Sequence, residues 1–310
     1  MGDNFYFNNG DRILRGFDFM YYNMFGISLD DIFCCSTDKE IGELLIETAI
    51  SRAYRDAVDR VLIKEGYNKE NENVWIKNRK AAENTIKNHI NQLMNGNFNF
   101  ELAKENAPEE MKNDSEARNF DYWHWSLTNE LAIKINENNV TTFSCGIAQK
   151  WINMTFKYLV VLLNGTYIWD ECFWDDDSVL ANKIPQNFID MINGYYPYFH
   201  VPIDGYILKA INKSMEKYIC EKDYKNRKDD IGQIAYGLSI KTKDYIDEAW
   251  SKLRIDKYYN YFKLQNEIRK KVDIFFKRKY TQVENSDMWR FYPLDWENNA
   301  WIAELRSVKK

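Results

Sequence analysis

The two side chains of this chain that are best suited to a catalytic role lie at the starts of apolar helices. Lys150 lies in SCGIAQKWINMTFKYL (144–159), after a turn of small residues and in the first turn of a helix so apolar that it must be buried. The helix dipole and partial desolvation there both favour the neutral amine, the nucleophilic form of lysine. Asp204 follows an extended approach in YFHVPIDGYILKAIN (198–212) and precedes a second apolar helix. We expect its carboxylate to face a cavity beside Lys150.

Each of these residues also has a purely structural interpretation. Lys150 fits a lysine whose alkyl chain lies along apolar surface while its ammonium reaches solvent. Asp204 fits an N-cap, a position that Asp commonly occupies before a helix. The turn before Lys150 favours a functional interpretation, because we expect its backbone N–H groups to point outward and to suit an anion such as a phosphate.

The two segments resemble the motifs of the helix-hairpin-helix DNA glycosylases, where a turn of the type L-P-G-V-G-x-K opens one helix and V-D-T-H opens a later one. SCGIAQKWIN lies over the first motif and PIDGYILKAIN over the second. The resemblance implies that Lys150 is the catalytic lysine and Asp204 the catalytic aspartate. It implies an all-α fold in which the target base is flipped out of the duplex into a pocket between helices. It also implies a hairpin that grips a DNA phosphate through Cys145, Gly146, Ile147, Ala148 and Gln149.

The function implied by this resemblance is a DNA glycosylase that excises a modified base. Asp204 would stabilise the oxocarbenium-like sugar, and Lys150 would either attack C1′, which adds strand-nicking lyase activity, or orient a water for hydrolysis. Trp151, Asn153 and His200 are the candidate lining of the base pocket, although Trp151 also fits the core and His200 also fits a structural role. The partner is DNA with a modified base, and we expect no cofactor and no metal.

The sequence alone does not identify the base or the biological role. A long insertion at 164–199 and abundant aromatic residues favour a bulky or hypermodified base, such as those in phage DNA, and hence antiviral defence over base-excision repair. Trp169 and Trp174 are further candidates for stacking on a base. The acidic run at 175–177 has no ordered ligand spacing and fits a solvated turn better than a metal site.

A second class of function is a non-catalytic helical protein that binds another protein's DNA-binding surface. The net charge of −5 favours this class, since no overall positive field attracts the chain to nucleic acid. DNA binding would need a local basic face, and residues 205–280 carry more Lys and Arg than Asp and Glu. The basic helices of that stretch fit solvated helix surfaces equally well.

The pattern along the chain predicts an all-α helical bundle of the helix-hairpin-helix glycosylase type with a large insertion. Only 5 prolines and 13 glycines interrupt the chain, which favours long helices over turn-rich sheet. A polar surface connection is predicted at 99–119, and an irregular segment with a short hairpin at 164–183. Helical periodicity is found at 36–67, with Ser36 or Thr37 as its cap, and at 74–96, 120–139, 149–163, 185–194, 202–220, 242–253, 256–280 and 293–306.

Three regions are predicted: an N-terminal helical region at 1–140, the hairpin and catalytic motifs at 141–222, and a C-terminal helical region at 223–310. No linker marks a boundary, so a single compact unit is equally compatible with the pattern. No run is long enough to span a membrane, and the first residues lack the apolar stretch of a signal peptide. The five cysteines fit reduced structural thiols. We therefore expect a cytoplasmic protein with no membrane contact and no obligate protein partner.

Overall fold

The structure is a computed structural model of the chain. The residues that it describes are 18–28, 31–32, 34–59, 61, 72–136, 143–173, 183–214, 237–280 and 292–308, without the side chains of 166–173, 275–280 and 306–308.

All regular secondary structure within the described ranges is helical, which confirms the all-α class. A helical stretch at 18–25 precedes the further α-helices of the described residues. These are α1 (Asp38–Tyr54), α2 (Glu72–Met94), α3 (Phe100–Asn106), α4 (Glu109–Lys112), α5 (Asn119–Asn136), α6 (Cys145–Phe173), α7 (Gln186–Tyr195), α8 (Gly205–Asn212), α9 (Tyr258–Tyr280) and α10 (Pro293–Val308).

The chain divides into two compact units by its internal contacts. The first comprises residues up to 98 and 154–194, and the second comprises 99–153 and 195–310. The predicted region boundaries near 140 and 222 lie outside the described residues.

The first unit contains α1, which begins after Thr37, one of the two cap residues predicted from the sequence. The Thr37 side chain accepts a hydrogen bond from the Glu40 N–H, and the Glu40 carboxylate accepts one from the Thr37 N–H, which forms a capping box. The helix continues into a π-helical turn at Arg55–Asp59. One buried row on this helix and the π-helical turn has residues at spacing four: Ile41, Leu45, Ala49, Ala53 and Ala57.

The second unit has an aromatic core to which α5, α6 and α9 contribute. Along α5 one buried row is apolar, while the adjacent row, Asp121, His124 and Thr128, is polar and equally buried. The residues of each row are three or four positions apart, so each row lies along one side of the helix, and both sides are buried. The largest fully buried side chains of this unit are Trp123, Trp151, Trp296, Tyr258, Tyr261, Phe120, Phe199 and Phe262.

Three predicted segments differ in the structure. Residues 99–119 are not a plain surface connection, since they form α3 and α4 and bury Ala103 and Met111. Residues 242–253 do not form an α-helix but two short 3₁₀ turns, Thr242–Asp244 and Trp250–Lys252. The irregular segment predicted from 164 begins as helix, because α6 continues to Phe173.

Candidate active site

The structure brings Lys150 and Asp204 together in the second unit. The Lys150 Nζ lies 3.7 Å from the Asp204 Oδ2, and the two side chains are 11% and 19% exposed. Lys150 stands in the second turn of α6, one turn later than predicted, and Asp204 immediately precedes α8. The sequence therefore predicted the meeting of these two groups, whereas the cavity expected beside them and their catalytic role stay predictions.

Asp204 uses its two carboxylate oxygens differently. Its Oδ1 accepts hydrogen bonds from the N–H groups of Tyr206 and Ile207, both at 2.9 Å, and so caps α8. Its Oδ2 is the oxygen nearest to the Lys150 Nζ. The cap interpretation is therefore confirmed, and it leaves one oxygen directed at the amine.

The indole of Trp250 forms a further side of the Lys150 environment. The Lys150 Nζ lies 4.6 Å from the centroid of this ring, within the range of a cation–π interaction. The 3₁₀ turn that carries Trp250 is held against the start of α6 by two hydrogen bonds. The Gly146 N–H donates to the Leu253 carbonyl at 3.1 Å, and the Ser144 hydroxyl donates to the Ser251 carbonyl at 2.5 Å.

The turn predicted at 145–149 does not form, and its role in phosphate binding stays a prediction that the structure does not support. All five residues belong to the first turns of α6, and Cys145, Ile147, Ala148 and Gln149 are buried hydrophobic or polar core. The backbone donors that were expected to face an anion are used within the protein. Gly146 donates to Leu253, while the N–H groups of Ile147 and Ala148 donate to the hydroxyl and the carbonyl of the preceding Ser144. A phosphate has no access to donors that are bonded in this way.

The small residues serve close packing instead. A Cβ placed on Gly146 would lie 1.6 Å from the carbonyl oxygen of Trp250. Only glycine lets the 3₁₀ turn approach α6 so closely, and this approach places the indole of Trp250 over Lys150. The sequence did not identify Trp250 as a site residue, because its segment shows only helical periodicity.

Trp151, Asn153 and His200 do not line an open pocket. Trp151 is fully buried and packs edge-on against Phe143, with ring centroids 6.4 Å apart. Asn153 and His200 are 2% and 1% exposed. Trp174 and the acidic run at 175–177 lie outside the described residues, as does the side chain of Trp169.

The comparisons with known proteins found no relative. No protein-family model, no curated protein and no solved structure matches this chain. Among the described residues, no group of His, Cys, Asp and Glu side chains is arranged to hold a metal ion. None of the helices described above is both long and apolar enough to cross a membrane. What the protein does must therefore be argued from its own geometry.

Asn153 and His200 belong to a buried network of polar side chains. The Asn153 Oδ1 accepts from His124 Nε2 at 2.8 Å, and the Asn153 amide nitrogen donates to the Tyr261 hydroxyl at 2.8 Å. The Nδ1 of His200 lies 3.0 Å from the same hydroxyl, and its Nε2 lies 2.8 Å from the Asp121 Oδ1. Such a network is costly to bury unless its groups have partners, and here each of these contacts supplies one.

Charge within this network is concentrated on one pair. Two nitrogens of the Arg269 guanidinium donate to the two carboxylate oxygens of Asp121, at 2.6 and 3.3 Å. Burial opposes ionisation of Asp121, but Arg269 and His200 outweigh it and hold the pKa of this carboxyl below its usual range. Burial lowers the pKa of His200 to about 4, and burial together with His200 lowers the pKa of His124 well below its usual value. Both imidazoles are therefore neutral at pH 7.

The arrangement at Lys150 can act on a carbon that carries partial positive charge. A carboxylate and an amine whose polar atoms are 3.7 Å apart can both contact one reacting atom of a substrate. The carboxylate stabilises developing positive charge, and the amine either attacks or orients water.

Proposed function

We propose that this protein is a DNA glycosylase that excises a modified base. The single observation that carries the proposal is the 3.7 Å approach of the Lys150 amine to the Asp204 carboxylate, where both side chains remain partly exposed. The similarity of the two surrounding segments to the lysine and aspartate motifs of helix-hairpin-helix glycosylases supports it further. Because residues 145–149 are helical, the proposal assigns the binding of DNA to other residues.

In the proposed reaction the bond from C1′ of the sugar to the base nitrogen breaks, and the base leaves with the electron pair and takes up a proton. Asp204 stabilises the positive charge that develops on the sugar. In the hydrolytic branch a water adds to C1′ and loses a proton. In the lyase branch the Lys150 amine adds to C1′ and loses a proton. The C1′–O4′ bond then breaks as O4′ takes up a proton, and the resulting C1′=N Schiff base is reduced by borohydride to a stable adduct.

The test is excision of bases from a panel of modified DNAs, including phage DNA with hypermodified bases and plain DNA with oxidised bases. The variants are Lys150→Gln and Asp204→Asn, the second of which keeps an equally good N-cap. We expect Asp204→Asn to slow excision at least about 100-fold, because it removes the charge that stabilises the transition state. Lys112→Gln is the matched control, since it breaks an ion pair with Glu109 in the same unit but outside the site.

The possible outcomes of this assay lead to different conclusions. Excision that fails in Asp204→Asn but persists in Lys112→Gln supports the glycosylase proposal. A borohydride adduct that is lost in Lys150→Gln assigns the lyase branch, and excision without an adduct assigns hydrolysis. Wild-type protein that releases no base from any DNA of the panel would refute the enzyme and leave a binding role. Variants that excise as fast as wild type would refute the catalytic assignment of Lys150 and Asp204.

A further inference from the structure

The residues that lead to Asp204 are held by side chains instead of by regular secondary structure. Residues 199–204 belong to no helix, so their backbone polar groups need other partners. The side-chain amide of Gln265 supplies partners for both backbone polar groups of one residue, Val201. The Val201 N–H donates to Gln265 Oε1, and Gln265 Nε2 donates to the Val201 carbonyl, both at 2.9 Å. Gln265 lies on α9 and is 1% exposed.

The same carbonyl is linked to the helix that carries Lys150. The Asn153 amide nitrogen lies 3.3 Å from the Val201 carbonyl oxygen and 2.8 Å from the Oε1 of Gln149. Asn153 stands three residues after Lys150, on the same face of α6. The Val201 backbone is thus hydrogen-bonded to α9 and in weaker polar contact with α6, because the shorter contacts of the Asn153 amide go to Gln149 and Tyr261.

A displacement at Val201 would reach Asp204. Only two residues separate them, Pro202 and Ile203, and both are buried. Pro202 has a backbone φ fixed near −65° by its ring, which leaves this connection little freedom. The position of the Asp204 carboxylate therefore depends on where the Val201 backbone is held.

We propose that Gln265 is a positioning residue whose amide, by binding both backbone groups of Val201, sets the distance between Asp204 and Lys150. This inference rests on the proposed function for its effect on catalysis. Its geometric part, that the Gln265 amide holds the two site groups together, is independent of what the protein does.

The first test is single-turnover excision by Gln265→Leu, which has nearly the shape of Gln but makes neither hydrogen bond. We expect the rate to fall about 100-fold with DNA affinity unchanged within about threefold, since a displacement of about 1 Å costs rates of this order. Leu264→Ala is the control, because it truncates the adjacent, fully buried residue of α9 and leaves the Val201 contacts intact. Each variant is assayed below its own unfolding temperature. A Gln265→Leu rate within threefold of that of Leu264→Ala would overturn the proposal.

Gln265→Glu gives a second measurement if Gln265→Leu does not fold. A protonated Glu can accept from the Val201 N–H and donate to its carbonyl, as Gln does, whereas an ionised Glu can only accept. Its excision rate relative to wild type should therefore rise as the pH is lowered from 8 to 6. A ratio that is constant over this range contradicts the proposal.

The chemical reactivity of Lys150, which can be measured without any catalytic assay, separates this inference from the proposed function. The rate at which acetic anhydride modifies Lys150 is measured by mass spectrometry, with Lys112 as internal reference. We expect Asp204→Asn to raise this rate, because the carboxylate no longer holds the ammonium, and Gln265→Leu to raise it to a similar extent. If wild type excises no base but Gln265→Leu raises the reactivity, only the proposed function fails. Unchanged reactivity in Gln265→Leu refutes the positioning role.

Discussion

Replacing Gly146 with Ala tests the packing that places Trp250 over Lys150. In a helix, Gly→Ala ordinarily stabilises by up to about 1 kcal/mol. Here the new Cβ would lie 1.6 Å from the Trp250 carbonyl oxygen, 2.8 Å from its carbonyl carbon and 3.1 Å from the Leu253 Cβ. Two of the three contacts are to backbone, which no side-chain rotation can relieve. The 3₁₀ turn must therefore move away from α6.

The sizes of the opposing free-energy contributions decide whether Gly146→Ala stabilises or destabilises the protein. Forcing an extra carbon into a packed interior costs about 1–3 kcal/mol. Loss of the hydrogen bond from the Gly146 N–H to the Leu253 carbonyl adds about 1 kcal/mol. Against the gain of up to about 1 kcal/mol in helix propensity, we expect Gly146→Ala to lower the free energy of unfolding by about 2 kcal/mol.

Urea and thermal unfolding followed by circular dichroism measure this difference. Gly205→Ala is the matched control in the same unit, because Gly205 is also helical and a Cβ added to it would meet no atom within 4 Å. We expect the unfolding midpoint of Gly205→Ala to equal or exceed that of wild type. A Gly146→Ala protein that is as stable as wild type would refute the close approach of the 3₁₀ turn and the placement of Trp250 that depends on it.

Two further predictions concern the network and the indole. His200 is neutral in the folded state down to about pH 4 but titrates near 6.5 when unfolded. Its contribution alone should therefore lower the free energy of unfolding by about 3 kcal/mol as the pH is lowered from 6.5 to 4, and neutral His124 acts in the same direction. Urea midpoints that stay constant or rise over this window contradict this prediction. Under the proposed glycosylase function, Trp250→Ala should slow base excision about tenfold, whereas Trp250→Phe keeps an aromatic face for Lys150 and should stay within threefold of wild type in the single-turnover assay. Equal rates for the two variants would exclude a role for the ring.

Local sequence signals predicted the start of α1 and the two helices next to the site groups, α6 and α8. The start of α1 follows from Thr37 and Glu40, whose side chains and backbones bind each other within four residues. The helix of Lys150 follows from an apolar run, and the cap of α8 follows from an aspartate after an extended approach. Each of these signals acts between residues close in sequence, and these are the signals that a single sequence contains.

A local signal for α3 and α4 was present but was outweighed by their polar composition. Asn99 caps α3 by accepting from the Leu102 N–H. Ala103, Ala107 and Met111 then form a row at spacing four, and all three are buried. The row is short and two of its members are alanine, so its hydrophobic pattern is weak although its spacing is that of a helix.

Long-range partners explain what the sequence did not predict. Residues 242–253 have the periodicity of a helix, but carbonyls of Ser251 and Leu253 accept from Ser144 and Gly146, more than 100 positions away. These bonds favour a short 3₁₀ turn against α6 over a continuous helix. The binding of Gln265 to Val201 likewise joins residues 64 positions apart. No local pattern marks either pair.

The cap and the proposed catalytic role of Asp204 do not compete, because they use different atoms. The cap needs an acceptor at Oδ1, which the N–H groups of Tyr206 and Ile207 occupy. The role at Lys150 needs negative charge at Oδ2. Asparagine retains the first and lacks the second, so Asp204→Asn leaves α8 capped while it removes the charge. A loss of activity in this variant without a loss of stability would therefore come from the missing charge, and a helix cap alone has no means of producing it.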